Sequence, residues 1–322
     1  MHSEFEIIRR YFTHRTHHTR LSVGDDAALV RPSRGRELVI STDLLVEAVH
    51  FFRNADPRLL GHKALAVNLS DLAAMGATPR WALLAVALPR PDARWLAEFS
   101  RGFMVLARRF KIDLVGGDTT RGSLAICVQI IGEVPYGKAL RRDGARVGDD
   151  VWVSGKLGAA ALALAAIRRR VKLSRDERRR CEQCLHQPQP RLLLGTALRG
   201  IATSAIDISD GLLADLSHIL ERSKVAAHLE FGHIPCSPAV RHRCDSALGR
   251  DVLLAGGDDY ELCFTAPRRM RARVMMAARH SDVKVTRIGS IEPRTSHWPD
   301  IVVFDANGVP MKITDAGYDH FR

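Results

Sequence analysis

Two periods of apolar residues run through this 322-residue chain, and the change of period marks out its elements. Short runs rich in Val, Ile and Leu predict strands at residues 37–41, 81–88, 112–115, 124–134, 150–154, 260–265, 283–288 and 301–304. Longer stretches with apolar positions three and four apart predict helices at 57–75, 94–110, 158–169, 191–198, 211–222 and 268–278. Strands and helices mix without regular alternation, so the expected class is α+β rather than a doubly wound sheet. The glycine-rich, basic stretch GKALRRDGARVG at 137–148 is the best boundary, predicting domains at 1–137 and 138–322. The halves echo each other. Gly116-Gly117-Asp118 matches Gly256-Gly257-Asp258, and Ser70-Asp71 matches Ser209-Asp210, which hints at two similar domains.

The acids that interrupt these apolar segments change the picture. They are Asp25 and Asp26 in GDDAALV, Asp43 in ISTDLLV, Asp71 in NLSDLAAMGA and Asp118 in VGGDTTRG, the last read as a bare turn between two strands. The second half adds Asp207 and Asp210 in AIDISDGLLADL, then Asp258 and Asp259 in AGGDDYELCF. A buried carboxylate is costly unless it is paired or binds a metal. Asp71 and Asp210 taken singly read equally well as helix N-caps. The whole series, nearly all aspartate and mostly beside Gly, Ser or Thr, is more than capping explains. Magnesium accounts for it: a small hard cation that takes carboxylate and hydroxyl oxygens and keeps waters. Glycines let the backbone approach phosphates, and Ser41, Thr42 and Ser209 add oxygens.

Composition narrows the partners. Lys and Arg number 48 against 36 Asp and Glu, a net charge of +12 that favours anionic partners. The basic runs RDERRR (175–180), RRMRAR (268–273) and Arg168, Arg169, Arg170 read as solvated helix faces. Aromatics are only 6% and do not interleave with them, which argues against a stacking platform for single strands. No apolar run has the length of a membrane span and the first residues lack the order of a signal peptide, so a cytoplasmic protein is expected. Of six cysteines, Cys127 and Cys263 read as core residues. Cys181-x-x-Cys184 is half a zinc site without its other half, and reads as a helix face.

Known nucleotide signatures fail. GEVPYGK at 132–138 has Ala139 where a P-loop needs Ser or Thr, and Pro135 removes an N–H from the cradle. No dinucleotide fingerprint, protein-kinase set or nucleophile elbow is present. THRTHHTR at 13–20 reads as an exposed loop. His50, alone in the apolar run VEAVHFF, reads from spacing alone as a satisfied core histidine.

Seven segments occur in order: GDDAALV, ISTDLLVEAVHF, GHKALAVNLSDLAAMGATPRWALLAVALP, GGDTTRG, AIDISDGLLADLSHI, GGDDYELCF and GYDHF. Together they resemble the thiamine-monophosphate kinase family, within the superfamily that includes aminoimidazole ribonucleotide synthetase. The resemblance implies two α/β domains, the N-terminal one pairing subunits into a homodimer. It implies ATP-dependent phosphorylation of thiamine monophosphate to thiamine diphosphate, several Mg²⁺ ions between the phosphates, and direct transfer without a phosphoenzyme. By position, Asp26, Thr42, Asp43, Asp71, Asp118, Asp207 and Asp210 would bind Mg²⁺. Ser41, Gly117, Asp118, Arg142 and Ser209 would meet ATP or its metal. His50, Asp258 and Tyr318 would meet thiamine monophosphate, which reverses the core reading of His50. Many family members carry Glu where this chain has Asp258. Alternatives are another ATP-dependent enzyme of the superfamily, and a basic nucleic-acid-binding protein, which gives no reason for the aspartates. Selenophosphate synthetase would need a reactive residue near the N-terminus, and the first cysteine here is Cys127. The hydrogenase-maturation relative would need a C-terminal cysteine, and this chain ends in Arg322.

Overall fold

The computed structural model describes residues 4–297, 299–313 and 317. It separates into two compact units. The first holds the residues up to Leu72 together with Ala77–Gly137, and the second holds Ala73–Gly76 together with the chain from Lys138 onward.

Unit 1 is a four-stranded sheet backed by two helices. Its elements are β1 (Arg36–Val46), α1 (Pro57–Ala74), β2 (Thr78–Leu88), α2 (Ala93–Arg109), β3 (Asp113–Arg121) and β4 (Ala125–Pro135). The strand order is β1-β4-β2-β3. β1 and β2 run antiparallel to β4, and β3 runs parallel to β2. Asp56 and Asp92 accept the first N–H groups of α1 and α2 and so start both helices. The helices cross where glycine removes the side chain: a Cβ on Gly102 would stand 1.9 Å from the Arg58 carbonyl oxygen. Leu65, Leu69 and Leu72 of α1, with Phe99 and Phe103 of α2, are buried with Ile126, Val128 and Ile130 of β4. The face of β1 away from these buried residues is exposed. Strand alternation puts Leu38, Ile40 and Leu44 on one face of β1, where they are 42%, 58% and 55% exposed.

Unit 2 is a six-stranded sheet with helices. Its strands are β5 (Asp149–Ser154), β6 (Ser204–Ile208), β7 (Ala226–Glu230), β8 (Glu261–Pro267), β9 (Val285–Glu292) and β10 (Ile301–Phe304). Their order is β10-β7-β9-β5-β8-β6, antiparallel except for the β10–β7 pair. The helices include α3 (Ala159–Ile167), α4 (Arg175–His186), α5 (Leu192–Ala197), α6 (Leu212–Ser223), α7 (Ala247–Leu254) and α8 (Arg271–His280). Val151, Val153, Ile206, Cys263 and Ile288 form the sheet side of one core with Leu212, Leu216 and Ile219 of α6.

The α+β expectation holds, and most predicted elements fall within a few residues of the observed ones. Strands β6 and β7 and helix α7 were not read from sequence. The stretch 115–122 is not a turn: residues 116–121 continue β3 as an edge strand pairing with β2. The expected cap role of Asp71 fails as well: it lies inside α1 near its C-terminal end. Asp210 stands just before Gly211, the residue at the entry to α6. The two echoed motifs therefore sit in unlike structures, a strand against a loop and a helix interior against a helix entry. Cys127 is only half-buried, so its core assignment is corrected, whereas Cys263 is fully buried. Residues 13–18 form the exposed or half-buried loop expected, and it is anchored at its end: buried Asp113 accepts the N–H groups of His17 and His18, both at 2.6 Å, and the Thr19 hydroxyl at 2.8 Å.

Candidate active site

In unit 1 the chemistry gathers where β1 passes α1. Ser41 and Asp43 are two residues apart on one strand and so share a face. The Ser41 hydroxyl donates to Asp71 Oδ2 at 2.5 Å. Burial, and then the neighbouring Asp71 carboxylate, push Asp43 up to about 7. Two carboxylates held together at such a cost are a fit for a cation, whose charge removes the repulsion between them. Thr42 lies on the opposite face, where its hydroxyl donates to the Val128 carbonyl at 3.1 Å. Asp118 is exposed on β3, across from Ala85 of β2. Asp26 is exposed in the loop between the short strands Thr19–Leu21 and Leu29–Val30.

Gly117 has a structural reason of its own. Its φ is +149°, and a Cβ there would stand 1.8 Å from the Leu84 carbonyl oxygen. The tight turn after β1 fixes His50. Its backbone N–H donates to the Val46 carbonyl at 2.9 Å, and the Val46 N–H donates back to His50 Nδ1 at 3.0 Å. In the neutral ring that bond leaves the proton on Nε2.

In unit 2 the acids lie along one edge. Asp207 is buried in the edge strand β6, opposite Leu262 of β8. Ser209 and Asp210 follow, half-buried, at the entry to α6. The 256–260 loop is laced to them: the Asp258 N–H donates to the Ser209 carbonyl and the Tyr260 N–H to the Ile208 carbonyl, both at 2.8 Å. Asp258 and Tyr260 have φ of 68° and 51°, a conformation unusual outside glycine and common at working sites. The Tyr260 hydroxyl donates to Asp258 Oδ1 at 3.2 Å. Asp259 turns the other way and accepts the Gly158 N–H at 2.8 Å, where burial pushes its carboxyl well above the usual carboxylate range. Arg142 is exposed, and its carbonyl accepts the Ser223 hydroxyl at 2.8 Å. Tyr318 lies outside the described residues.

Each unit thus brings part of the predicted set together: Ser41, Asp43 and Asp71 in one, Asp207, Ser209, Asp210 and Asp258 in the other. Among the described residues no group of three or more His, Cys, Asp or Glu side chains gathers to hold a metal unaided. Magnesium fits paired carboxylates of this kind because it retains waters and takes substrate phosphate oxygens as further ligands. Sequence reasoning missed Asp215 and Tyr260, and it counted Asp259 among the acids without giving it a role. Asp215 acts on backbone and Tyr260 on another acid, and only their closeness to the SDG and GGDD motifs could have flagged them.

Two family models match in tandem: AIR synthase related protein, N-terminal domain, over residues 24–134, and the corresponding C-terminal domain over 146–298. Thiamine-monophosphate kinase of Salmonella typhimurium is 42% identical over 323 residues, covering 99% of this chain and 98% of the relative. The chain belongs to the thiamine-monophosphate kinase family. A crystal structure of the Stenotrophomonas maltophilia family member superposes with a TM-score of 0.83 at 43% identity, covering 93% of this chain and 92% of that one. A further family structure, AaThiL complexed with AMPPCP and TMP, gives a TM-score of 0.77 at 30% identity, with coverage of 93% and 92%.

Proposed function

We propose that the protein phosphorylates thiamine monophosphate, transferring the terminal phosphoryl group of ATP to give thiamine diphosphate and ADP. The observation that carries the reading is the Asp43–Asp71 pair with Ser41 bonded to it, an anionic cluster suited to a cation, within a chain that matches family members end to end. The relative complexed with AMPPCP and TMP supports the choice of both substrates.

The attacking atom is a phosphate oxygen of thiamine monophosphate, already anionic. No strong general base is needed, and none of the chain's groups has to become covalently phosphorylated. The bond from the terminal phosphorus to the ADP oxygen breaks as the bond to the substrate phosphate forms. Catalysis then consists of positioning and charge neutralisation. Asp26, Thr42, Asp43, Asp71, Asp118, Asp207 and Asp210 would hold Mg²⁺. When bound, the ions offset the repulsion between two polyanions and stabilise charge on the transferring group. Ser41 and Ser209 orient the carboxylates and the nucleotide, Gly117 leaves the β3 backbone bare, and Arg142 supplies a fixed positive charge. His50, Asp258 and Tyr318 hold thiamine monophosphate, His50 offering an Nε2–H donor fixed by the Val46 bond.

The reading includes a homodimer formed through unit 1, supported by the exposed apolar face of β1, a poor surface to leave in water. A cytoplasmic location is part of it too; among the described residues no helix is long and apolar enough to cross a membrane. Within the basic runs Arg178 pairs with Glu182, Arg179 with Asp176 and Arg271 with Asp150, so part of that charge is engaged at home; the nucleic-acid alternative also leaves the aspartates unexplained. Incubating the protein with Mg-ATP and thiamine monophosphate should yield thiamine diphosphate and ADP in equal amounts. No product from demonstrably folded protein overturns the reading.

A further inference from the structure

Asp215 has no part in the functions assigned so far, yet it is among the most engaged carboxylates in unit 2. It stands in the first turn of α6 and is 3% exposed. Its Oδ2 accepts three consecutive backbone N–H groups, those of Ser209 and Asp210 at 3.0 Å and Gly211 at 3.1 Å. Two of these donors, on Ser209 and Asp210, precede the helix and the third belongs to its N-cap residue Gly211, so none has a partner within α6. Three converging amides also form the kind of nest that binds a phosphate. Here the chain's own carboxylate fills it, so these amides are not available to the nucleotide.

The clamp reaches further through the backbone. It fixes the segment that presents Ser209 and Asp210 and follows directly from Asp207. The carbonyls of Ile208 and Ser209 in turn accept the Tyr260 and Asp258 N–H groups. One buried carboxyl group therefore braces both segments that carry the acids of this unit.

We infer that Asp215 is a positioning residue: by clamping the 209–211 amides it fixes Asp210 and Ser209 and sets the cation affinity of the unit 2 acids, without touching cation or substrate. The inference rests on the phosphotransferase reading for what those acids hold.

The test uses full-length protein with AMPPCP and Mn²⁺ as the spectroscopic probe, free and bound Mn²⁺ being distinguished by electron paramagnetic resonance. Asp215→Ala should weaken one class of bound Mn²⁺ by about 10–100-fold, the usual effect of losing an outer-shell partner. In turnover its half-saturation for Mg-ATP should rise more than kcat falls. Asp215→Asn keeps an amide oxygen where Oδ2 stands and should recover most of the binding. If the Ala variant does not fold, Asp215→Glu serves instead: it retains the charge, displaces the acceptor by one methylene, and should also weaken Mn²⁺. Parent protein that binds Mn²⁺ alongside Ala or Glu variants that bind it equally well overturns the inference alone, whatever their melting temperatures. Parent protein that takes up no Mn²⁺ overturns the metal reading and this inference with it.

Discussion

The Ser41 hydroxyl on β1 donates to Asp71 Oδ2 on α1 at 2.5 Å, and Asp43, on the same strand face, lies close enough to Asp71 for the two charges to repel. A strand and a helix are thus joined by a serine–aspartate bond, with a second acid beside it that repels the first. Replacing Asp71 by Asn should leave the fold intact and remove the repulsion. Thiamine diphosphate formation should fall by about two orders of magnitude or more, the scale of losing a charge-stabilising group. Near-normal kcat in Asp71→Asn would remove it from the reacting site.

The raised Asp43 carboxyl gives a pH signature. With its folded value at about 7, above the ordinary carboxyl value of 3.8, the folded state holds a proton that the unfolded state has lost. This contribution is fully present below the unfolded value and disappears as pH rises through 7. Metal-free parent protein should therefore lose stability between about pH 4 and pH 7, with Asp215 and Asp259 adding in the same direction. Asp43→Asn should flatten only part of that slope in thermal melts at pH 5 and pH 8. Mg²⁺ must displace the Asp43 proton, so its affinity should rise as pH passes 7. Identical slopes in parent and variant would show that Asp43 is ionised throughout.

Gly117→Ala tests why the stretch VGGDTTRG is glycine-rich. The added methyl meets the Leu84 carbonyl, and φ is in the region that side chains avoid. The β2–β3 pairing should open, with a loss well above the ~1–2 kcal/mol of a left-handed residue alone. Gly137→Ala is the control: its φ is also positive, but nothing stands within 4 Å, so only the backbone cost applies. Equal melting temperatures for the two variants would mean that the Leu84 contact is not limiting.

How far the sequence carried the structure depends on which forces each feature uses. Strand and helix periods were legible because burial imposes them; β4 and α2 fall almost where the periods put them. The acids were legible as a series because carboxylates in apolar segments call for a reason. Their geometry was not. Asp71 beside Ser read as a cap, but the helix it belongs to begins at Pro57, fixed by Asp56 instead. The 115–122 stretch read as a turn because two glycines usually break a strand, whereas here Gly117 is what lets β3 lie against the Leu84 backbone. Asp215 was hidden because a lone acid on a helix looks like a solvated face until its backbone partners are seen.

The exposed face of β1 predicts an assembly. Leu38, Ile40 and Leu44 offer an apolar row on an edge strand, and an uncovered row of that kind invites pairing. Ile40→Asp, at a position already 58% exposed, should leave the monomer folded and shift sedimentation toward a single chain. Parent protein sedimenting as a monomer at all concentrations would remove the dimer from the reading.

Tyr260→Phe isolates the bond from its hydroxyl to Asp258. The ring stays and only the donor at 3.2 Å is lost, so folding should be little changed. A bond of this kind contributes about 0.5–1.5 kcal/mol, or somewhat more when the acceptor is charged. Asp258 is assigned to the substrate rather than to the transferring phosphoryl group. The loss should therefore appear as a KM for thiamine monophosphate raised by about 3–10-fold, with kcat and the KM for ATP nearly unchanged. A fall in kcat at constant KM would instead place Asp258 at the reacting phosphates. No kinetic change at all would mean that the strained 258–260 backbone, not the tyrosine hydroxyl, fixes the acid.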